Sequence, residues 1–453
     1  MTATTRLAEF IVKTALEDCP EAAVAEVRRA ALDTVGVMLA GTGEPAATIV
    51  RRVVRAEGGL PLCTVLGTGL RTSPTWAALA NGVAGHAHDF DDTNFGMLGH
   101  PSVPLLAAAF AAGEAEMADG ATVVLAYILG FEVDATLGLA LNPAHYERGW
   151  HATTSLGTFG CAAAAAKLLA LDVDQTRHAL GLAASFASGV KENFGSMTKP
   201  YHAGHAARNG MLAAQLAREG FTASEAALDG PQGFLHAAGD GTLPVSALDA
   251  LGRTWQVVTS KVAVKPYPSC ALTHSAIDAL LALRERHGVR PREVESVEVG
   301  VNHVVPNVLR HARPTTGLER KFSMQFCAAA ALAEGRVDIA SFADGPASAD
   351  VAPVMERIHM VVDPTLPQGG DQQAWTRVTV RLSDGRTLSE PARGASGHPA
   401  TPLTQEQLHT KFLACATLAI SRDEAEGVAE QIDRLEAVPD IRLLTTRLVG
   451  TAE

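Results

Sequence analysis

The densest group of chemically capable side chains is His86-Ala87-His88-Asp89-Phe90-Asp91-Asp92-Thr93, followed closely by His100-Pro101-Ser102. Imidazoles gain and lose protons near neutral pH, and carboxylates can orient or charge them. His86, Asp89 and Thr93 stand at i, i+3 and i+7, one face if a helix continues that far. Three readings fit this spacing: a divalent metal held by imidazole and carboxylate, a solvated helix end, or metal-free proton transfer. Spacing alone leaves all three open.

A second cluster is Gly195-Ser196-Met197-Thr198-Lys199-Pro200-Tyr201-His202. It contains S-x-x-K, the nucleophile pattern of penicillin-binding proteins and serine β-lactamases. The S-D-N and K-T-G strings that accompany the pattern there do not occur in this chain, which argues against acyl-serine chemistry. A residue before proline favours extended backbone, so Lys199 is expected to be extended, its ammonium reaching into a cleft as a carboxylate anchor. Further histidines stand in polar, turn-like contexts: His151 after Gly149-Trp150, His202, and His274 at the end of the run 265–274. Each taken singly fits a structural imidazole as well as a catalytic one. Gly67-Thr68-Gly69 lacks both the G-x-G-x-x-G spacing and a P-loop lysine, so a tight turn is expected there.

The elements that must position these residues are mostly helices in the first half. Apolar spacing predicts helices over 21–39, 75–89, 103–118, 122–141, 154–171, 174–188 and 206–219, many ending at glycine or an Asp/Asn break. One strand-like segment, 63–66, interrupts them. Beyond Lys265 the texture changes: 294–301 and 375–382 alternate with a period of two, with a helix over 321–333 between them. Helical pattern resumes after Gly397, with Thr404-Gln405-Glu406-Gln407 as a helix start. The fold class expected is mainly α. A large all-helical domain built from both chain ends, residues 1–265 and 402–453, carries a smaller inserted α/β lid domain, residues 266–401. The cleft between two such units is a common place for a small-molecule site.

Composition narrows the function. The net charge of −12, without a Lys/Arg cluster, excludes an obvious nucleic-acid footprint. Six scattered cysteines without a CxxC pair suit a reducing compartment rather than a disulfide framework. The N-terminus reads as amphipathic helix, not signal peptide, and the apolar stretch 121–141 contains Glu132 and Asp134. A cytoplasmic protein acting away from membranes is expected. Aromatics are only 5% and alanine is abundant, which suits closely packed helices.

Together the motifs resemble the MmgE/PrpD family, which includes 2-methylcitrate dehydratase, cis-aconitate decarboxylase and iminodisuccinate epimerase. The resemblance runs in order through the His86/Asp89/Thr93 block with His100-Pro101-Ser102, Trp150-His151, Thr198 to Gly204, Lys265 to His274, Lys321-Phe322-Ser323, Gly397-His398-Pro399 and Lys411-Phe412. It implies a homodimer without metal or organic cofactor, acting on a small di- or tricarboxylate by moving a proton next to a carboxylate. It places catalytic roles on Asp89, His100, His151 and His274, and substrate binding on Thr93, Lys199 and His202. A dehydratase or decarboxylase is the expected lyase, with an epimerase as the alternative. A metal-dependent hydrolase and a non-enzymatic dimeric binding protein are more distant readings. One departure stands out: Phe326 replaces the Tyr of the dehydratase and decarboxylase branches, which is expected to remove a donor from the lid side.

Overall fold

A computed structural model describes residues 2–367, 372 and 374–450. The helices of ten or more residues are α1 (Ala3–Lys13), α2 (Glu21–Ala40), α3 (Pro45–Glu57), α4 (Pro74–His86), α5 (Ser102–Glu116), α6 (Gly120–Leu141), α7 (Gly157–Leu168), α8 (Val173–Phe186), α9 (Thr198–Arg218), α10 (His274–His287), α11 (Met324–Glu334), α12 (Gln405–Ala416) and α13 (Arg422–Ile432). A two-residue ladder pairs β1 (Cys63–Thr64) with β2 (Arg71–Thr72), and Gly67, at φ +72°, makes the tight turn between them. Four further strands, β3 (Val294–Val301), β4 (Ile358–Val362), β5 (Thr376–Leu382) and β6 (Thr387–Arg393), form one sheet in the order β4-β3-β5-β6. Only the β3–β4 pair is parallel. The chain is therefore mainly α with a small α/β portion.

Two cores explain the change of texture along the chain. One joins α2, α5 and α6 to the C-terminal helices, burying Leu32, Leu39, Phe110, Tyr127, Phe131, Phe412 and Ile432 together. The other is built from α10, α11 and the sheet, with Ile277, Leu280, Val297, Val299, Leu332, Val378 and Val380 inside. In β3 the valines at 294, 297 and 299 are buried while Glu295 and Glu298 are exposed, as a half-covered strand requires. Helix α6 is long and apolar enough to cross a membrane by length and composition, yet 89% of its most apolar stretch is buried by neighbouring helices. Its two acids are spent on backbone: Glu132 accepts from the N–H groups of Gln256 and Val257, and Asp134 from Gly160, at 2.9 Å each.

The crossing of α4 and α9 decides where the chemistry sits. Gly82 and Gly204 meet there. A Cβ on Gly82 would lie 2.6 Å from the Gly204 Cα, and one on Gly204 2.3 Å from the Leu79 carbonyl oxygen. Only hydrogen fits at that contact. The close approach brings the last residue of α4, His86, to the first turn of α9, which carries Lys199.

Several expectations are corrected. The helix expected over 75–89 stops at His86, so Asp89 and Thr93 share no helical face with it. Asp89 has φ +51°, a left-handed conformation that aspartate tolerates better than most residues. Lys199 is helical rather than extended, because α9 starts at Thr198 instead of 206. Pro200 lies in the first turn, where a missing N–H costs no intrahelical bond, and this outweighs the extended bias of the preceding residue. The helix expected over 154–171 is divided into a short turn, Ala152–Ser155, and α7; that over 321–333 begins at Met324 after a break at Lys321-Phe322-Ser323.

Candidate active site

The site lies where the helical core meets the sheet-bearing core. Phe194, from the segment before α9, packs into the second core and against Phe322, with ring centroids 5.3 Å apart. Beside it a cleft of about 750 Å³, open mouth included, is lined by Asp89, Thr93, His100, His151 and Lys199 among its polar residues. Its walls are apolar, including Phe95, Leu98, Tyr146, Phe194, Val308 and Phe322.

Asp89 organises the floor. Its Oδ1 accepts from Lys199 Nζ at 3.0 Å and from Lys265 Nζ at 2.6 Å, and Lys265 also donates to the Asp89 carbonyl at 2.7 Å. That double grip holds the left-handed turn. Burial opposes ionisation of Asp89, but the two ammonium groups win and hold its carboxyl well below the usual range. Among the described residues its buried Oδ2 has no hydrogen-bond partner, nor has Thr93 Oγ1. Unpaired buried polar atoms are costly, so both are natural contacts for a ligand.

A relay runs back from Lys199. Its Nζ lies 2.7 Å from His86 Nε2, and His86 Nδ1 lies 2.8 Å from both oxygens of Asp91. An ammonium can only donate, so His86 accepts at Nε2 and carries its proton on Nδ1 toward Asp91. This requires a neutral ring. Burial indeed lowers His86 to about 4, despite the pull of Asp91. Asp91 stays ionised, because both His86 and His100 offer it N–H groups.

His100 is fixed through one nitrogen. Nδ1 lies 2.8 Å from the Asp92 carbonyl oxygen and 3.3 Å from Asp91 Oδ2, leaving Nε2 on the side of Asp89, 3.8 Å from its Oδ1. His151 contacts His202 through facing Nδ1 atoms 2.9 Å apart, so one of the two donates and the other accepts. Burial pushes both rings down, His202 to about 3.

Two expected site residues do not line the cleft. His202 stands behind His151 and acts on it rather than facing the opening. His274 begins α10 with Nε2 held 3.0 Å from the Ser269 carbonyl, so the turn Cys270–Leu272 faces the cleft in its place. It borders a smaller adjoining cavity with Thr93, Lys265 and His398. Phe326 is also away from the cleft, buried against Phe342 and under the Arg320 guanidinium in the core beside the sheet. Ser196 is exposed and donates to the Asn193 carbonyl, while Lys199 is engaged with Asp89 and His86; no nucleophile–base pair exists between them. His86, Asp91 and Lys265 were not assigned roles from sequence. The five-residue spacing of His86 and Asp91, and the lysine opening the run 265–274, were the available signals.

Among the described residues, donor atoms of His86, Asp89, Asp91 and His100 lie within 4.8 Å of one another, as do those of His86, His100 and His151. Lys199 already places a positive charge within hydrogen-bond distance of His86 and Asp89. A metal would have to displace that ammonium and break the Asp91–His86–Lys199 relay. His88 points away, 3.2 Å from the Ala40 carbonyl, and Asp92 bonds Ser102.

The N-terminal domain of the MmgE/PrpD family matches residues 5–245 and its C-terminal domain residues 267–437. The chain belongs to the MmgE/PrpD family. Cis-aconitate decarboxylase of Mus musculus is 31% identical over 439 residues, covering 93% of this chain and 88% of that protein. The Homo sapiens cis-aconitate decarboxylase is also 31% identical, over 436 residues, covering 93% and 89%. A cis-aconitate decarboxylase of Aspergillus terreus is 24% identical over 463 residues, covering 97% and 94%. The matched ranges include every residue that lines the cleft, while Lys265 lies between them.

Proposed function

We propose that the cleft removes carbon dioxide from an unsaturated tricarboxylate of the cis-aconitate class, with imidazoles moving the proton and Lys199 anchoring a carboxylate. Likeness to two cis-aconitate decarboxylases over 93% of the chain supports a lyase. The observation that carries the reading is the convergence of Asp89, Thr93, His100, His151 and Lys199 on one cleft.

The chemistry follows from these positions. When a carboxylate on a carbon next to a C=C leaves as carbon dioxide, its electron pair spreads through the double bond to the carbon beside the far carboxylate. That build-up of charge on an anion must be offset by cations and donors, and a proton must arrive at carbon. Lys199 supplies fixed positive charge at the floor. Thr93 Oγ1, without a partner among the described residues, donates to a substrate carboxylate. His100 delivers the proton from Nε2, since Nδ1 is tied to the Asp92 carbonyl; Asp91, 3.3 Å from Nδ1, stabilises the ring while it is charged. His151 takes or gives a proton at Nε2 according to which ring of the His151–His202 pair holds the proton between them.

Epimerisation would use the same two imidazoles to remove and return a proton with no bond to carbon dioxide broken. A panel of cis-aconitate, hydroxy-tricarboxylates and amino-dicarboxylates, incubated in deuterated water and read by mass spectrometry, separates loss of carbon dioxide, loss of water, and epimerisation seen as deuterium gained with no other mass change. Activity is expected on cis-aconitate and is expected to survive exhaustive chelation. A cytoplasmic homodimer belongs to the same reading, and light scattering of the purified protein tests the dimer.

A further inference from the structure

A substrate with two or three carboxylates needs more countercharge than the cleft floor offers. Lys199 and Lys265 both bind Asp89 Oδ1, and Lys321 is enclosed by the carbonyls of His88 and Pro268. Asp89 and Glu147 add negative charge to the cleft lining. The missing charge lies just outside.

A second cavity adjoins the cleft and shares Tyr146, Glu147, Val304 and Val308 with it. Its remaining wall includes Arg148, Lys191 and Arg310. Arg148 pairs with Asp240 at 2.7 Å and Arg310 with Glu192 at 2.8 Å. Among the described residues no carboxylate lies within 4.0 Å of the Lys191 ammonium, although the charge of Glu147, in the shared wall, acts on it from further off. Its ammonium sits 3.6 Å from the centre of the Tyr146 ring, the wall common to both cavities. Backbone pairing fixes it there: the Lys191 N–H donates to the Gly149 carbonyl at 2.8 Å, next to the bridge between Trp150 and Val190. The stretch 191–199 thus runs from this outer cavity, past Phe194 in the cleft wall, to Lys199 at the floor.

We infer that Lys191 is a second carboxylate-binding residue, holding at the mouth of the cleft the end of a polycarboxylate whose other end meets Lys199. This rests on the carboxylate-binding reading of the cleft but not on which bond is broken. Half burial on an aromatic face suits the role, because a partly desolvated cation attracts an anion more strongly than one in open water. The same burial draws the Lys191 ammonium down to about 8.

The probe is tricarballylate, a saturated tricarboxylate that cannot follow the decarboxylation path. Its affinity for the full chain is measured by calorimetry at low and high salt, for wild type, Lys191→Met and Lys191→Arg. Methionine keeps the packing over Tyr146 and removes the charge. Lys191→Met is expected to bind roughly tenfold more weakly at low salt, with a smaller difference at high salt, and Lys191→Arg to recover most of the loss. On cis-aconitate the same change is expected to raise KM with kcat held within about twofold, as an anchor acting equally on bound substrate and transition state should. Equal affinity of wild type and Lys191→Met for tricarballylate overturns the inference alone. Wild type that fails to bind tricarballylate overturns the carboxylate reading with it. Lys191-dependent binding in an enzyme that releases no carbon dioxide sustains the inference while removing the decarboxylase.

Discussion

Without the Asp89 carboxylate, Lys199 and Lys265 would lose the negative charge they share while remaining buried. Breaking a buried ion pair from one side costs about 3–5 kcal/mol, because the surviving charge has no compensation. Asp89→Asn, which keeps the shape, should therefore lower the urea midpoint markedly, and adding Lys265→Met should recover part of that loss; an unchanged midpoint in the single variant would contradict the arrangement. Lys199 has a different signature. Its loss removes a charge-assisted contact to substrate worth about 1.5–3 kcal/mol, so Lys199→Ala should lower kcat/KM by about tenfold to a hundredfold, with Lys199→Arg a partial rescue. Ser196→Ala should keep most of the activity, since its hydroxyl is exposed and bonded to Asn193. A trapped acyl-serine, or a folded but inactive Ser196→Ala protein, would overturn that assignment. At this scale the types of most site residues were legible in the sequence. Their division of labour was not: nothing in the spacing says that His202 backs His151, or that Lys265 and Lys199 share one oxygen of Asp89.

The helices are positioned by contacts too close to tolerate side chains. A methyl group on Gly82 would meet the backbone of Gly204, which cannot swing aside, so α4 and α9 would have to separate. Overpacking of this kind costs about 1–3 kcal/mol. Because α4 ends at His86 and α9 begins near Lys199, Gly82→Ala should lower activity more than its thermal shift alone explains; full activity would show that the 2.7 Å Lys199–His86 contact is dispensable. Elements with strong local signals were readable in advance. The period-two run 294–301 coincides with β3, the helix expected over 122–141 is α6, and Thr404 caps α12 in a box with Gln407. What escaped depends on partners distant in sequence. The strand β4 buries only Ile358 fully, so it shows no alternation, and β6 contains Pro391, tolerated because it lies at the sheet edge. Helix α10 starts at His274, inside a run rich in proline and turn residues, and its apolar face is defined by the sheet it covers.

For the molecule as a whole, two sets of buried groups oppose each other in acid. One is the imidazoles; the other is the carboxyls of Asp92 and Glu132, which burial raises to about 8 and about 7 and which therefore favour the folded state as pH falls. Burial lowers His86 and His88 to about 4 and His202 and His274 to about 3, from an ordinary 6.5. A base whose pKa is lowered by folding takes its proton first in the unfolded chain. The imidazole share of stability therefore falls as pH drops below about 6.5 and stops falling only below the folded values, at up to about 1.4 kcal/mol per pH unit for each such ring. The depressed carboxyl of Asp89 works in a lower window: its contribution is present above about 3.8 and is lost only as pH falls further toward its folded value. The share carried by one ring is isolated by comparison with a variant: the urea midpoint of His88→Gln should fall less between pH 6.5 and 4.5 than that of the wild type, and identical slopes would show that this ring is not held neutral. The reaction itself is tested most directly by proton NMR of cis-aconitate turned over in deuterated water. The arrangement of His100, His151 and Lys199 predicts loss of carbon dioxide with one deuterium delivered to carbon, at a rate lowered by Lys199→Met. Recovery of cis-aconitate with every carbon retained, whether untouched, hydrated or merely exchanged, would contradict a decarboxylase.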